Sequence, residues 1–113
     1  MAEQNRTGQW SVELAPEVEK WLRGLPIRGR AQAVRSIELL VQQGVLLGEP
    51  HTRHLQGKLR ELRFFVERRP ARITYFVARG RRIVLLTVFF KQQQRQPRDI
   101  ERALRAMAEY DDV

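Results

Sequence analysis

A chain of 113 residues with 42% apolar residues and a net charge of +8 is long enough for one core and too short for two. It has no cysteine, which excludes a disulfide framework and a thiolate zinc site. No apolar run approaches the roughly 20 residues of a membrane span, so a single soluble domain over residues 1–113 is expected, cytoplasmic and with an acidic partner.

Trp10, Val12 and Leu14 alternate with Ser11 and Glu13, the period of a half-buried strand. Ala15-Pro16 opens a helix whose first turn carries Glu17 and Glu19, favourable near its positive end. Val18, Trp21, Leu22 and Leu25 form its apolar stripe, and Gly24 to Pro26 end it. A second helix runs from about Arg28 to Gln43, striped by Ala33, Val34, Ile37, Leu40 and Val41 and stopped by Gly44. Val45 to Gly57, with Gly48, Pro50 and Gly57, reads as a connecting loop.

Three strands follow. Leu59–Glu67 alternates, with Leu62, Phe64 and Val66 on one face and Glu61, Arg63 and Phe65 on the other. Arg68-Arg69-Pro70 is the expected turn into Arg72–Val77, and a hairpin around Gly80 leads to Arg82–Lys91, which is apolar on both faces. Pro97 starts a last helix over Arg98–Glu109. The pattern predicts an α+β domain: a small antiparallel sheet with an N-terminal strand, two N-terminal helices and a C-terminal helix, the helices packed on one face.

The charge is unevenly spread. Residues 1–52 are neutral, whereas residues 53–105 hold fifteen basic and four acidic side chains, net +11. These cations alternate with strand-forming apolar residues, so they project from a folded sheet rather than from a disordered arm, an arrangement suited to a polyanion. An RNA phosphodiester breaks without metal when its own 2′-hydroxyl attacks the phosphorus. Such a site needs a base, cations for the phosphorane and an acid for the leaving 5′-oxygen. Arg63, Arg72 and Lys91 lie on three successive strands that an antiparallel meander brings to one concave face. Pattern alone also allows solvated strand-face cations.

The run from Leu55 to Arg63, then Arg72-Ile73-Thr74-Tyr75, then Ile83-Val84-Leu85-Leu86 leading to Phe89-Phe90-Lys91, resembles the RelE/ParE toxin superfamily, and within it the HigB-like, phage-derived branch. The resemblance implies a RelE-like fold and the toxin of a toxin–antitoxin pair. It implies an endoribonuclease that cleaves messenger RNA on the ribosome and is neutralised, as a hetero-oligomer, by a helix-turn-helix antitoxin. Arg63, Arg72 and Lys91 then become the catalytic cations, and Lys58, Arg60, Gln92 and Arg95 the substrate-binding surface. Two other readings stay open: a non-enzymatic, ParE-like inhibitor of DNA gyrase, and an inactive binding module of phage origin.

The sequence departs from that pattern at Gln92, where the family carries a second lysine, and in its tail, where Tyr110 precedes Asp111-Asp112. Tyr110 is a catalytic candidate or an ordinary packing residue at a helix end. Glu61 shares a strand face with Arg63, so it either pairs with that arginine or accepts a proton. His54, and after it His51, are loop histidines close to where the site opens, either bases or merely solvated. Tyr75 faces away from Arg72 and is expected in the core. The two histidines lack a third ligand, and neither metal nor other cofactor is implied.

Overall fold

The computed structural model describes residues 10–90 and 97–110. Its elements are β1 (Ser11–Leu14), α1 (Pro16–Gly24), α2 (Ile27–Gln43), a 3₁₀ turn (Gly44–Leu46), β2 (Thr52–Gln56), β3 (Leu59–Val66), β4 (Arg69–Ala78), β5 (Arg82–Phe90) and α3 (Pro97–Met107). The five strands form one sheet in the order β1-β5-β4-β3-β2. β2 to β5 are antiparallel neighbours, and β1 joins the outer side of β5 in parallel. The α+β architecture is as the pattern predicts, with a mixed sheet where an antiparallel one was expected.

The helices do not share one face. Val18 of α1 and Ala33, Ile37 and Leu40 of α2 pack with Leu62, Phe64, Val66, Ile73 and Tyr75 on one side. On the other side Ala103 and Met107 of α3 cover Leu59, Phe76, Ala78, Val84 and Leu86. The reason lies in β4 and β5, which carry apolar residues on both faces and so need cover on both. A register shift between Thr74 and Tyr75 pairs Thr74 with Thr87 and Tyr75 with Leu85, leaving Leu86 as the extra residue of a bulge. Tyr75 is core, as expected, and its hydroxyl accepts a bond from Arg60 Nε at 3.3 Å.

The segment expected to be a loop contains a strand. Thr-Arg-His-Leu-Gln has no apolar alternation because β2 is an edge strand in which only Thr52 is buried. Thr52 earns its place by donating from Oγ1 to Leu47 O at 2.7 Å. The β3–β4 turn also lies earlier than Arg68-Arg69-Pro70. It is made by Glu67 and Arg68, both at positive φ (48° and 73°), while Arg69 and Pro70 already belong to β4.

Two glycines set the position of α2. Gly44 ends the helix at φ 56°, and a Cβ there would run into the indole of Trp10, a residue whose backbone N–H donates to Val41 O. A Cβ at Gly29 would stand 2.9 Å from Val66 Cγ1, so glycine lets the helix start close against the end of β3. α3 is fixed by a clasp. Glu17 accepts from Val88 N–H at 2.9 Å and from Arg102, which also donates to Val88 O at 3.3 Å. One helix from each face is thereby tied to the part of β5 that β1 leaves uncovered.

Candidate active site

α3 covers only one half of its sheet face. The other half is built by side chains that alternate away from the larger core: Glu61, Arg63 and Phe65 of β3, Arg72 and Thr74 of β4, Thr87 and Phe89 of β5. The register arranges them in rows across the strands. One row is Arg53, Glu61, Thr74 and Thr87, and the next is Arg63, Arg72 and Phe89.

Arg63 and Arg72 are direct cross-strand partners. The Arg63 N–H bonds His51 O at 2.8 Å, away from β4, so this is a pair of the non-hydrogen-bonded kind, where side chains come closest. Two like charges held so near each other destabilise a sheet unless neutralised. Glu61 does this from full burial: its Oε2 lies 3.8 Å from Arg72 Nε and 4.0 Å from Arg63 Nε. The carboxylate cancels one guanidinium and leaves the triad a surplus positive charge. Arg72 is buried and anchored by a 3.0 Å bond from Nη1 to Ala71 O. The Arg63 side chain is 28% exposed, and among the described residues its guanidinium makes no hydrogen bond. The site thus has one fixed cation and one that faces outward. Behind them Thr74 and Thr87 join their hydroxyls at 2.6 Å, so no buried hydroxyl competes for the arginines.

Both arginines open onto a groove of about 810 Å³ between α2 and the end of β3, whose rim includes His51, Pro50 and Phe65. The triad is suited to holding a tetrahedral anion, since guanidinium forks match phosphate oxygens and stay charged at any physiological pH.

The scan of protein families matches residues 20–108 to the family described as phage-derived protein Gp49-like (DUF891). The chain belongs to the Gp49-like family. Comparison with curated proteins finds no match. Among solved structures the chain is similar to a doubly substituted E. coli toxin RelE in the free state, with a TM-score of 0.61 at 14% identity, covering 86% of this chain and 96% of that one. This Gp49-like chain therefore has a RelE-like fold, in line with the resemblance carried by its motifs.

The other residues singled out in the Gp49-like sequence are dispersed. Arg60, expected on the substrate-binding surface, instead lies on the opposite sheet face, where it donates to Tyr75 Oη and to Thr52 Oγ1 at 3.2 Å and so holds the fold. Lys58 is exposed in the β2–β3 turn, about 16 Å along β3 from Arg63. His54 pairs with Arg60 on that other face, its Nε2 2.8 Å from Gly57 O, so His51 rather than His54 is the histidine beside the arginines. Tyr110 stacks edge-on against Phe76 at 6.0 Å, about 13 Å along β4 from Arg72. That ring contact gives it a packing role, and burial, then Glu13 and Glu109, raise its pKa above the usual phenol value. Lys91, Gln92 and Arg95 lie outside the described residues.

Sequence reasoning missed Arg53, which is exposed and sits opposite Glu61. Its strand has no apolar alternation, so the sequence alone assigns it no face. Exposed Phe65 carries a signal, an aromatic on the polar face of its strand.

Proposed function

We propose that this Gp49-like chain is the toxin of a toxin–antitoxin pair and an endoribonuclease that cleaves messenger RNA, acting on the ribosome to stop translation. The observation that carries the reading is the Arg63–Arg72 cross-strand pair, held by buried Glu61 at the mouth of an open groove. In this reading the scissile phosphate sits on Arg63 and Arg72. The 2′-oxygen bonds to phosphorus, its proton leaves to a base, and the bond from phosphorus to the 5′-oxygen breaks with a proton supplied to that oxygen. The arginines neutralise the charge that builds on the non-bridging oxygens, a contribution of about 3 kcal/mol per preorganised donor. His51 lines the same groove and is the candidate for proton transfer. Glu61 is the counter-ion that positions the two cations. Lys91, the residue after Phe90 in the chain, remains a proposed third cation.

The partner that fits is a helix-turn-helix antitoxin with an acidic, apolar-striped segment over the basic face, forming a hetero-oligomer. Net +11 over residues 53–105 favours such a segment, which also excludes RNA. Induction in growing bacteria, with mapping of messenger RNA 5′ ends, tests the reading. New ends within translated regions, absent with Arg72→Ala at equal expression, support it. Intact RNA with double-strand DNA breaks would move the chain to the gyrase-directed branch. No growth effect would leave a binding module.

A further inference from the structure

The groove beside the arginines extends well past one phosphate, and its far wall is set apart by one residue. Phe65 is 63% exposed on the same strand face as Arg63, two positions further along β3. It is the only exposed Phe, Tyr or Trp among the described residues. β2 pairs with β3 only as far as Leu62, so among the described residues no strand covers the edge of β3 beyond it. Along that edge Arg63 N–H is taken by His51 O, and Glu67 N–H by Gln32 Oε1 at 2.7 Å. Strand alternation turns the Phe65 N–H toward the groove between these two bonds. Across the groove α2 presents exposed Arg35, with Ser36 one residue on. A bare ring, an outward N–H and a facing guanidinium within one groove are the parts of a nucleotide subsite. The ring takes the face of a base, and the N–H and cation take a phosphate.

We infer that the groove between α2 and β3 binds the nucleotide next to the cleaved phosphodiester in single-stranded RNA, with its base stacked on Phe65 and its phosphate held by Arg35. The inference rests on the endoribonuclease reading and deepens it. Stacking is blind to base identity, so this subsite sets the length of RNA gripped rather than its sequence. It also demands an unpaired strand, because a paired base offers no free face to Phe65.

The test is binding and cleavage of a length series of unstructured RNA oligonucleotides, with a 2′-deoxy substitution at the cleaved position in the binding arm. Phe65 and Arg35 are exposed, so Phe65→Ala and Arg35→Gln should fold normally, as thermal unfolding verifies. Phe65→Ala should lose about tenfold in affinity for the longer RNAs and nothing for a dinucleotide, while Phe65→Trp keeps the affinity. Arg35→Gln should make the salt dependence shallower by about 0.7 in the log–log slope. If the wild type cleaves RNA but both variants bind every length as it does, the subsite is wrong and the nuclease reading stands. If the wild type neither binds nor cleaves RNA, the nuclease reading falls and the subsite with it. If an acidic extended peptide binds the wild type and is lost on Phe65→Pro while RNA binding is unchanged, the open edge serves a protein strand and the inference is overturned.

Discussion

Replacing Glu61 with glutamine keeps the shape of the side chain and removes the buried negative charge between the two arginines. The carboxylate is fully buried, 3.8 Å from Arg72 Nε and 4.0 Å from Arg63 Nε. At an effective dielectric of about 20, each contact is worth roughly 4 kcal/mol of gross attraction. Burying the carboxylate cancels much of that, so the net cost of removing it falls nearer the 3–5 kcal/mol typical of a broken buried pair. Glu61→Gln should therefore destabilise the fold by about 3 kcal/mol, which for a domain of this size is a fall in Tm of roughly 12 °C. The same change raises the net charge facing the groove by one unit. RNA affinity should consequently rise, with a steeper salt dependence, in whatever fraction stays folded. Urea unfolding followed by circular dichroism measures the first effect, and fluorescence anisotropy at several salt concentrations measures the second. A stability loss below about 1 kcal/mol would refute the counter-ion role. A folded variant with unchanged binding that no longer cleaves would make Glu61 the base instead.

Arg63→Ala and Arg72→Ala should each slow RNA cleavage by roughly a hundredfold, about 3 kcal/mol, whereas Arg79→Ala in the exposed β4–β5 turn should not. His51→Ala should lower the rate of cleavage measured on an unstructured RNA, with His54→Ala serving as the control that leaves it intact. Arg60→Ala should act on stability, costing about 1–3 kcal/mol through lost bonds to Tyr75 and Thr52, with unfolding midpoints as the measurement. Arg102→Ala should release the clasp on Val88, seen as faster hydrogen exchange at the Val88 amide and through α3.

Most of the architecture was legible in the sequence because the signals were local. Periodicity marked both N-terminal helices, the β3–β5 meander and the final helix, and Pro16, Gly44 and Pro97 punctuated them where the helices start and stop. Strand parity separated Arg63 from Leu62 and Arg72 from Tyr75, so the cation pair and the core position of Tyr75 were both foreseeable. What escaped was set by contacts between distant segments. β2 has no apolar alternation and exists because β3 offers it a partner, so Arg53 had no visible face until the sheet was assembled. Parity along one strand says which residues share a face, but not which of two helical layers will cover it. Only packing decided that α3 takes the side opposite α1 and α2, and that it leaves the half around Arg63 and Arg72 uncovered. Register likewise decided that His51 and not His54 stands at the groove, because the β2–β3 pairing fixes His54 against Arg60 on the far face. Residue type and spacing act over a few positions of chain, whereas a site of this kind depends on how strands and helices far apart in sequence are aligned.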